Sequence, residues 1–234
     1  MDKSGDKIAE KIISVFFPKF CLGCGIEGNF VCKNCLKKIN SQELACPVCD
    51  KVNFVGAFCK AHQKSFAFSR LLFISYFDGL ARKIVLGLKY EGLKELAKPM
   101  SKMMAKVLIE NFRSRADLFL VPVPLFFAKR LSRGFNQSEI LSKHIAQILG
   151  ASYGNLVLRQ KSTKSQVELS KEKRKQNMEN AFILSGQGRK IDLRDKIIVI
   201  VDDVYTTGST INEVAKILKK KKPSGILALT FCKD

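Results

Sequence analysis

The sequence predicts an α/β protein in which a parallel sheet is flanked by helices and preceded by a small cysteine-rich module. From residue 66 onward, apolar runs typical of buried strands alternate with segments of helical periodicity. Seven of the eight cysteines fall between Cys21 and Cys59. A chain of 234 residues can hold one medium-sized and one small domain. We therefore expect a helix at 1–20, a cysteine-rich module at 21–65 and an α/β domain at 66–234.

The elements of the larger domain follow from the hydrophobic pattern. We expect strands at 70–77, 118–123, 197–201 and 226–231, and helices at 93–112 and 138–149. A further helix should begin after Thr210, because apolar residues recur there with a period near 3.6. These residues are Ile211, Val214, Ala215 and Leu218.

The N-terminal segment reads as a short amphipathic helix. Ile8, Ile12, Val15 and Phe16 share one face, and the default role of such a face is packing against the rest of the protein. A contact with a membrane surface or a partner is the alternative. No apolar run is long enough to span a bilayer. The short apolar segment at 12–17 is followed neither by the small-residue cleavage site of a signal peptide nor by a stop-transfer pattern. We expect a cytoplasmic protein without a transmembrane segment, with peripheral membrane contact left open.

The cysteines fall into two sets with the spacing of metal ligands. In a reducing compartment, Cys-x-x-Cys pairs indicate metal sites rather than disulfides. Four ligands per set fit closed tetrahedral sites, so we predict two structural zinc ions. Sequential pairing and a cross-braced arrangement both remain possible, and redox-active thiols are an alternative role. The first set is Cys21, Cys24, Cys32 and Cys35, and the second is Cys46, Cys49, Cys59 and His62.

The segment 197–210 carries the clearest chemical signal. Five β-branched apolar residues end at two adjacent carboxylates, Asp202 and Asp203, and a hydroxyl-rich loop then leads into a helix. A helix N-terminus favours phosphate, while carboxylates accept hydrogen bonds from sugar hydroxyls or bind a divalent cation. The pattern predicts a sugar-phosphate ligand with Mg²⁺. A strand end followed by an ordinary helix cap is the alternative. The loop residues are Thr206, Thr207, Gly208, Ser209 and Thr210.

Two other segments are rich in cations. Pro122 and Pro124 end the strand predicted at 118–123, and the basic residues that follow could hold a second phosphate group. The stretch 166–177 could form a lid over a phosphorylated ligand or contact nucleic acid, and an inert exposed helix is the alternative. The first candidate set is Pro122, Val123, Pro124, Leu125, Lys129, Arg130 and Arg133. The lid or nucleic-acid candidates are Lys89, Asn136, Gln137, Lys171, Lys173, Arg174 and Lys175.

The charge is strongly positive. The net charge of the chain is +20. Residues 1–65 hold ten basic and six acidic residues, a net charge of +4, so residues 66–234 carry the remaining +16. A polyanion such as nucleic acid is the usual partner of this balance. A lysine-rich surface that is merely solvated is the alternative.

Several motifs together resemble the ComF (ComFC) competence-protein family over residues 21–231. They are the two cysteine sets, Lys89-Tyr90, Val-Pro-Val-Pro-Leu at 121–125, Arg-Gly-Phe-Asn-Gln at 133–137, Gln-Val-Glu-Leu-Ser at 166–170, and 202–210. The last segment is similar to the 5-phosphoribosyl-1-pyrophosphate (PRPP) signature of type I phosphoribosyltransferases. Two departures are Phe126-Phe127 after Leu125, and His62 in place of a thiolate.

The resemblance implies a double zinc ribbon joined to a phosphoribosyltransferase-like domain. It implies that the acids hold the ribose hydroxyls of PRPP, that the loop holds its 5′-phosphate, and that the protein handles single-stranded DNA during natural transformation. We therefore expect a DNA-uptake factor whose site binds either PRPP or a nucleic-acid phosphate, with a ComFA-like helicase as a candidate partner. An active phosphoribosyltransferase with an unknown acceptor is one alternative. A helicase-docking adaptor with a vestigial PRPP site is another, and the sequence identifies no catalytic residue.

Overall fold

The computed structural model describes residues 18–39, 44–53, 55–112, 117–160 and 181–234. The helices are α1 (Lys33–Lys37), α2 (Gly79–Tyr90), α3 (Ala97–Asn111), α4 (Phe127–Arg133), α5 (Gln137–Leu149), α6 (Gly186–Lys190) and α7 (Ser209–Lys219). The strands are β1 (Leu71–Tyr76), β2 (Leu118–Pro122), β3 (Ser152–Tyr153), β4 (Val157–Arg159), β5 (Phe182–Leu184), β6 (Ile197–Tyr205) and β7 (Gly225–Lys233).

Five strands form a parallel sheet in the order β1-β7-β6-β2-β3. Strand β6 lies at its centre, and Ile200 is level with Val121 of β2 and Ala228 of β7. Residues 198–201 are completely buried. A strand covered on both faces favours such a continuous run of β-branched residues, because neither face has to meet water. The predicted α/β fold is therefore confirmed.

Each face of the sheet is covered by its own hydrophobic core. Val199 and Val201 point into the core formed with α2, α3 and α5. Ile198 and Ile200 point the other way, into the core formed with α7 and the cysteine-rich module. This division follows from the alternation of side chains along a strand. Residues of the module take part in both cores, and the domain boundary at residue 65 stays a prediction.

The predicted elements of the larger domain are present, with shifted ends. The helix predicted at 93–112 begins at Ala97, after a short 3₁₀ turn at Lys94–Leu96. Helix α2 was not predicted, although Ala81, Ile84 and Leu88 repeat with helical spacing and are buried. The antiparallel pair of β4 and β5 was also missed, because strands of three residues carry too little pattern to identify.

Most of the predicted N-terminal helix lies outside the described residues. The last three residues of that prediction, Pro18 to Phe20, are not helical, and Phe20 instead forms a bridge with Glu27. Among the described helices, none is long and apolar enough to cross a membrane.

The topology brings three connections to one edge of the sheet. The strands are parallel, so the segments after β1, β2 and β6 all leave from the carboxyl edge. Ligands of open α/β sheets bind at this edge. Helix α2, the proline-rich segment (residues 122–125) and the hydroxyl-rich loop (residues 206–210) therefore lie along the same edge.

Candidate anion and metal sites

The hydroxyl-rich loop joins β6 directly to α7. Strand β6 continues through both acids to Tyr205, so the acids lie within the strand rather than after it. Helix α7 begins at Ser209, and its N-cap is Gly208, which has no side chain to bond the first-turn N–H groups. The hydroxyls of Thr207 and Ser209 are 2.8 Å apart. Backbone donors and hydroxyls thus converge where a phosphate group would bind.

Gly208 is required by both its conformation and its neighbour. Its φ of +72° lies in the left-handed region, which favours glycine. A Cβ at this position would lie 2.6 Å from the hydroxyl oxygen of Tyr205. Tyr205 is only 2% exposed and packs in the same core as Cys46. The buried Tyr205 ring therefore supports the loop from below.

Asp203 forms an ion pair with Lys89 of α2. Their Oδ1 and Nζ atoms are 2.7 Å apart, and the two side chains are 7% and 20% exposed. Burial disfavours the lysine charge, but attraction to Asp203 outweighs it and raises the pKa of Lys89. Lys89, which we predicted as a lid or nucleic-acid contact, thus lies against the acid pair.

Asp202 is held by different partners. The Ser138 hydroxyl donates to Asp202 Oδ1 at 2.8 Å, and the main-chain N–H of Asp203 donates to the same oxygen at 2.9 Å. Burial and the neighbouring Asp203 carboxylate raise the pKa of Asp202 to about 7, against the opposing effects of Lys89 and Ser138. The two adjacent acids therefore differ: one is paired with a cation, and the other ionises near neutral pH.

Two cations, Lys89 and Arg159, interact with the acid pair, and both repel a third, Lys129. Partial burial and the positive charges of Arg159, Arg133 and Lys89 lower the pKa of Lys129. Burial lowers the pKa of Arg159, and the charge of Asp202 opposes that effect. Mutual repulsion among cations indicates a site that an anion would stabilise. We did not predict Arg159 as a site residue. It is the last residue of strand β4, which the hydrophobic pattern also did not predict.

The basic segment after the prolines is a helix, whereas we predicted a loop. Residues Phe127–Arg133 form α4, and Gly134 ends it in the left-handed conformation with φ +77°. The run from 127 to 133 contains no glycine, proline or β-branched residue, so a short helix is favoured. Ahead of it, Val123 donates its N–H to the Val201 carbonyl at 2.9 Å, which keeps the proline-rich segment beside β6.

The side chains of α4 have distinct surroundings. Arg130 lies 3.5 Å from Glu139, and Arg133 lies over the Tyr90 ring at 5.1 Å. Of the predicted phosphate-holding cations, Lys129 and Arg133 repel each other, and Lys129 is also repelled by Lys89 and Arg159. Pro122 ends β2, and Pro124 and Leu125 are partly buried in the connection.

Asn136 and Gln137 face the interior. Their exposed fractions are 8% and 2%. Asn136 donates to the Val123 carbonyl and accepts from the Ser138 N–H, so it caps α5 and ties it to the proline-rich segment. Burial leaves neither side chain free to contact DNA. The remaining lid or nucleic-acid candidates, Lys171, Lys173, Arg174 and Lys175, lie outside the described residues.

The two ligand sets form two clusters, paired sequentially. Within each cluster the candidate ligand atoms all lie within 4.8 Å of one another. The two turns share a fold: Gly25 and Asp50 donate to the carbonyls of Cys21 and Cys46, and both have positive φ. The clusters are Cys21, Cys24, Cys32 and Cys35, and Cys46, Cys49, Cys59 and His62. The cross-braced alternative is thereby excluded.

The donor sets fit zinc. Tetrahedral Zn–S bonds of about 2.3 Å place two sulfurs roughly 3.8 Å apart. The Cys24–Cys32 and Cys49–Cys59 sulfur pairs are 3.8 and 3.9 Å apart. Burial opposes ionisation of Cys46, but backbone N–H donors, led by that of Cys59, lower its pKa to about 6. Thiolates stabilised in this way are ready to bind a metal.

The clusters are attached to opposite sides of the anion site. At the first cluster, Gly23 packs closely against Leu80 of α2, the helix that carries Lys89. At the second, Asp50 forms a 2.6 Å ion pair with Lys233, which is level with Tyr205 in the sheet. Lys233 is only 5% exposed. The cysteine-rich module therefore supports both the lysine and the loop of the candidate site.

Comparison with known proteins agrees with this architecture. The family model described as "Phosphoribosyl transferase domain" matches residues 84–234, and the chain belongs to that family. A solved hypoxanthine phosphoribosyltransferase of Staphylococcus aureus is 17% identical, over 60% of this chain and 65% of that chain, with a TM-score of 0.36. The family match over residues 84–234 alone carries the assignment.

Two curated relatives extend over nearly the whole chain. Competence protein F of Haemophilus influenzae is 26% identical, covering 88% of this chain and 93% of that protein. DNA utilization protein YhgH of Salmonella typhi is 28% identical, covering 87% of this chain and 90% of that protein. The resemblance to the ComF family is confirmed, and these matches include the module that the phosphoribosyl transferase model leaves out.

Proposed function

We propose that this protein is a competence factor that binds PRPP with Mg²⁺ at the carboxyl edge of its sheet and handles single-stranded DNA. One observation carries the PRPP assignment: Asp202 and Asp203 lie directly before a loop and helix N-terminus whose geometry suits a phosphate group. The names of the relatives support the role in DNA uptake.

Each part of PRPP has a matching group. The loop at 206–210 suits the 5′-phosphate, since it combines helix N–H groups with hydroxyls. The acid pair suits the ribose diol, because carboxylates accept from both hydroxyls. The cluster of Lys89, Lys129, Arg133 and Arg159 suits the pyrophosphate. Mg²⁺ would neutralise charge on the pyrophosphate oxygens when bound with the ligand.

Binding has to rearrange the Lys89–Asp203 ion pair. In the free protein this pair joins α2 to β6 at 2.7 Å. A ribose hydroxyl that donates to Asp203 competes for the same carboxylate, and Lys89 then gains a phosphate oxygen as its partner. Such an exchange keeps the lysine charge compensated throughout, which a partly buried ammonium group requires.

The PRPP assignment is tested by isothermal titration calorimetry with PRPP and Mg²⁺. The Asp202→Asn/Asp203→Asn variant should bind at least about 100-fold more weakly, because amides cannot replace two ionised acceptors. The matched control is Asp192→Asn/Asp195→Asn, which removes the same charge from exposed positions. Unchanged affinity in the first variant, with a native circular dichroism spectrum, would contradict the assignment.

A second candidate function is phosphoribosyl transfer to an acceptor. The observation in its favour is the intact combination of acids, loop and cations in a chain that belongs to the phosphoribosyl transferase family. Release of pyrophosphate from PRPP, assayed with individual nucleobases and with DNA, tests it. Turnover that depends on an acceptor and is lost in the Asp202→Asn/Asp203→Asn variant would establish an enzyme.

A further inference from the structure

A second cationic surface lies at the opposite edge of the sheet. Strands β1, β7 and β6 are neighbours, so the segments that precede them meet at the amino edge. Hydrogen bonds join these segments: Ser224 donates its N–H to the Lys196 carbonyl at 3.0 Å and its hydroxyl to the Arg194 carbonyl at 2.8 Å. Lys221 donates to the Arg189 carbonyl at 2.9 Å. We call residues 64–67, 189–196 and 216–222 the amino-edge surface.

This surface concentrates positive charge. Its three segments contain ten lysines and arginines and two aspartates, a net charge of +8. One of the aspartates, Asp192, is already paired with Arg194 at 2.6 Å. Lys64, Lys219, Lys220 and Lys222 are exposed. Three segments distant in sequence thus place many cations on one face, which a polyanion would neutralise.

Two open clefts run through the surface and share a wall. The first, of about 420 Å³, lies between Lys64–Ala67 and the lysines at the end of α7. The second, of about 300 Å³, lies between Lys190–Arg194 and Lys220–Lys222. Lys220 lines both clefts. We refer to these two adjoining clefts as the groove; lysine or arginine side chains line both of its parts.

The groove also offers an aromatic ring. Phe66 lines the first cleft, is partly buried, and stacks on Phe58 with the ring centroids 4.3 Å apart. Cations beside an aromatic ring are the combination by which proteins bind single strands without sequence preference. A membrane surface fits less well: in the described part of the chain, the exposed large apolar side chains lie outside the amino-edge surface.

We propose that the amino-edge surface binds single-stranded nucleic acid through its phosphates. The proposal rests on the DNA-handling part of the proposed function and is independent of the PRPP site. Strand β6 spans nine residues between the two edges, so the DNA and PRPP sites are separated by roughly 26 Å at about 3.3 Å per residue. The protein therefore binds PRPP and single-stranded DNA at the same time, without competition.

The test compares two quadruple variants by fluorescence anisotropy with a labelled oligothymidylate of about 20 nucleotides. The first variant changes Lys64, Lys219, Lys220 and Lys222 to Gln. The matched control changes Lys37, Lys98, Lys102 and Lys106 to Gln; these are exposed lysines of α1 and α3, so the net charge falls equally. Circular dichroism spectra and melting temperatures verify that both variants are folded.

The amino-edge variant should bind the oligonucleotide at least about tenfold more weakly at low salt. If four phosphate contacts are lost, its slope of log affinity against log salt concentration should be flatter by roughly 2.8. The control should keep the wild-type slope, and saturating PRPP with Mg²⁺ should leave the oligonucleotide affinity unchanged. Equal losses in both variants would overturn the proposal, because binding would then follow net charge alone.

Two further outcomes overturn it. Displacement of the oligonucleotide by PRPP would assign DNA to the carboxyl edge, and stronger binding of a duplex of the same length would reject the single-strand assignment. If the wild-type protein binds PRPP but no oligonucleotide, only this proposal is contradicted. If it binds the oligonucleotide but not PRPP, only the assignment of the PRPP site is contradicted.

Discussion

At the scale of single residues, two adjacent aspartates have different electrostatic states. Asp203 faces Lys89, whereas Asp202 has two hydrogen-bond donors and a pKa raised to about 7. The difference arises from their partners: Asp203 is paired with Lys89 of α2, whereas Asp202 accepts hydrogen bonds from Ser138 of α5 and from the main chain. Asp203 is therefore paired with a cation in the free protein, while Asp202 gains its charge near neutral pH.

We expect PRPP affinity to rise with pH through about 7, because ribose hydroxyls need an ionised acceptor at Asp202. Stability should change in the opposite direction. The folded pKa lies above the ordinary value of 3.8, so the stability given by the protonated acid is complete below about pH 4 and is lost as pH rises through about 7. Calorimetry and thermal melts across this range measure both effects.

Asp202→Asn should flatten both pH profiles. Asp192→Asn is the control, since its hydrogen bonds with Arg194 lower the pKa of Asp192 to about 2 and place its titration outside the range. Wild-type pH profiles in the Asp202→Asn variant would contradict the assignment of this titration to Asp202.

At the scale of elements, the loop between β6 and α7 depends on what lies beneath it. Gly208 has a positive φ, and Tyr205 leaves no room for a side chain there. Tyr205 is in turn level with Lys233, which is paired with Asp50, the residue after Cys49 of the second metal cluster. The conformation of a loop on the larger domain is therefore tied to the cysteine-rich module.

Gly208→Ala should lower both the melting temperature and the PRPP affinity. Gly150→Ala is the matched control: its φ of +65° carries the same backbone cost of about 1–2 kcal/mol, but a Cβ there has no atom within 4 Å in the described structure. The control should be less destabilised and keep its PRPP affinity. Equal effects in the two variants would show that the Tyr205 contact is unimportant.

At the scale of the whole molecule, the two metal clusters join the module to both sides of the larger domain. The first packs on α2, and the second is bound to β7. A module of this length has a small core, so bound zinc contributes directly to its folding free energy. Zinc bound at these clusters would therefore stabilise the geometry of the candidate anion site as well as the module itself.

Metal analysis by plasma emission spectrometry should give two zinc ions per chain, because each of the two clusters supplies four ligands. His62→Ala should lower the content to about one, since three thiolates hold zinc less tightly than four ligands do. Cys232→Ala is the control, because Cys232 is buried and belongs to neither cluster. Folded wild-type protein without zinc would contradict this prediction.

Local chemistry explains what could be predicted from the sequence. The acid pair, the hydroxyl-rich loop and the metal ligands lie within short stretches, where spacing alone relates one group to the next. The continuous apolar run of β6 likewise indicates a central strand from its own composition. These features determined the fold class, the candidate ligand type and the two ligand sets.

Only the tertiary structure decided which distant residues complete the sites. Ser138 lies 64 positions before Asp202 in the sequence, and α2 and β4 bring Lys89 and Arg159 to the same acids. The amino-edge surface likewise combines three segments that meet only because their strands are adjacent. Sequence spacing carries no information about such contacts, since they depend on strand order and on which face each helix covers.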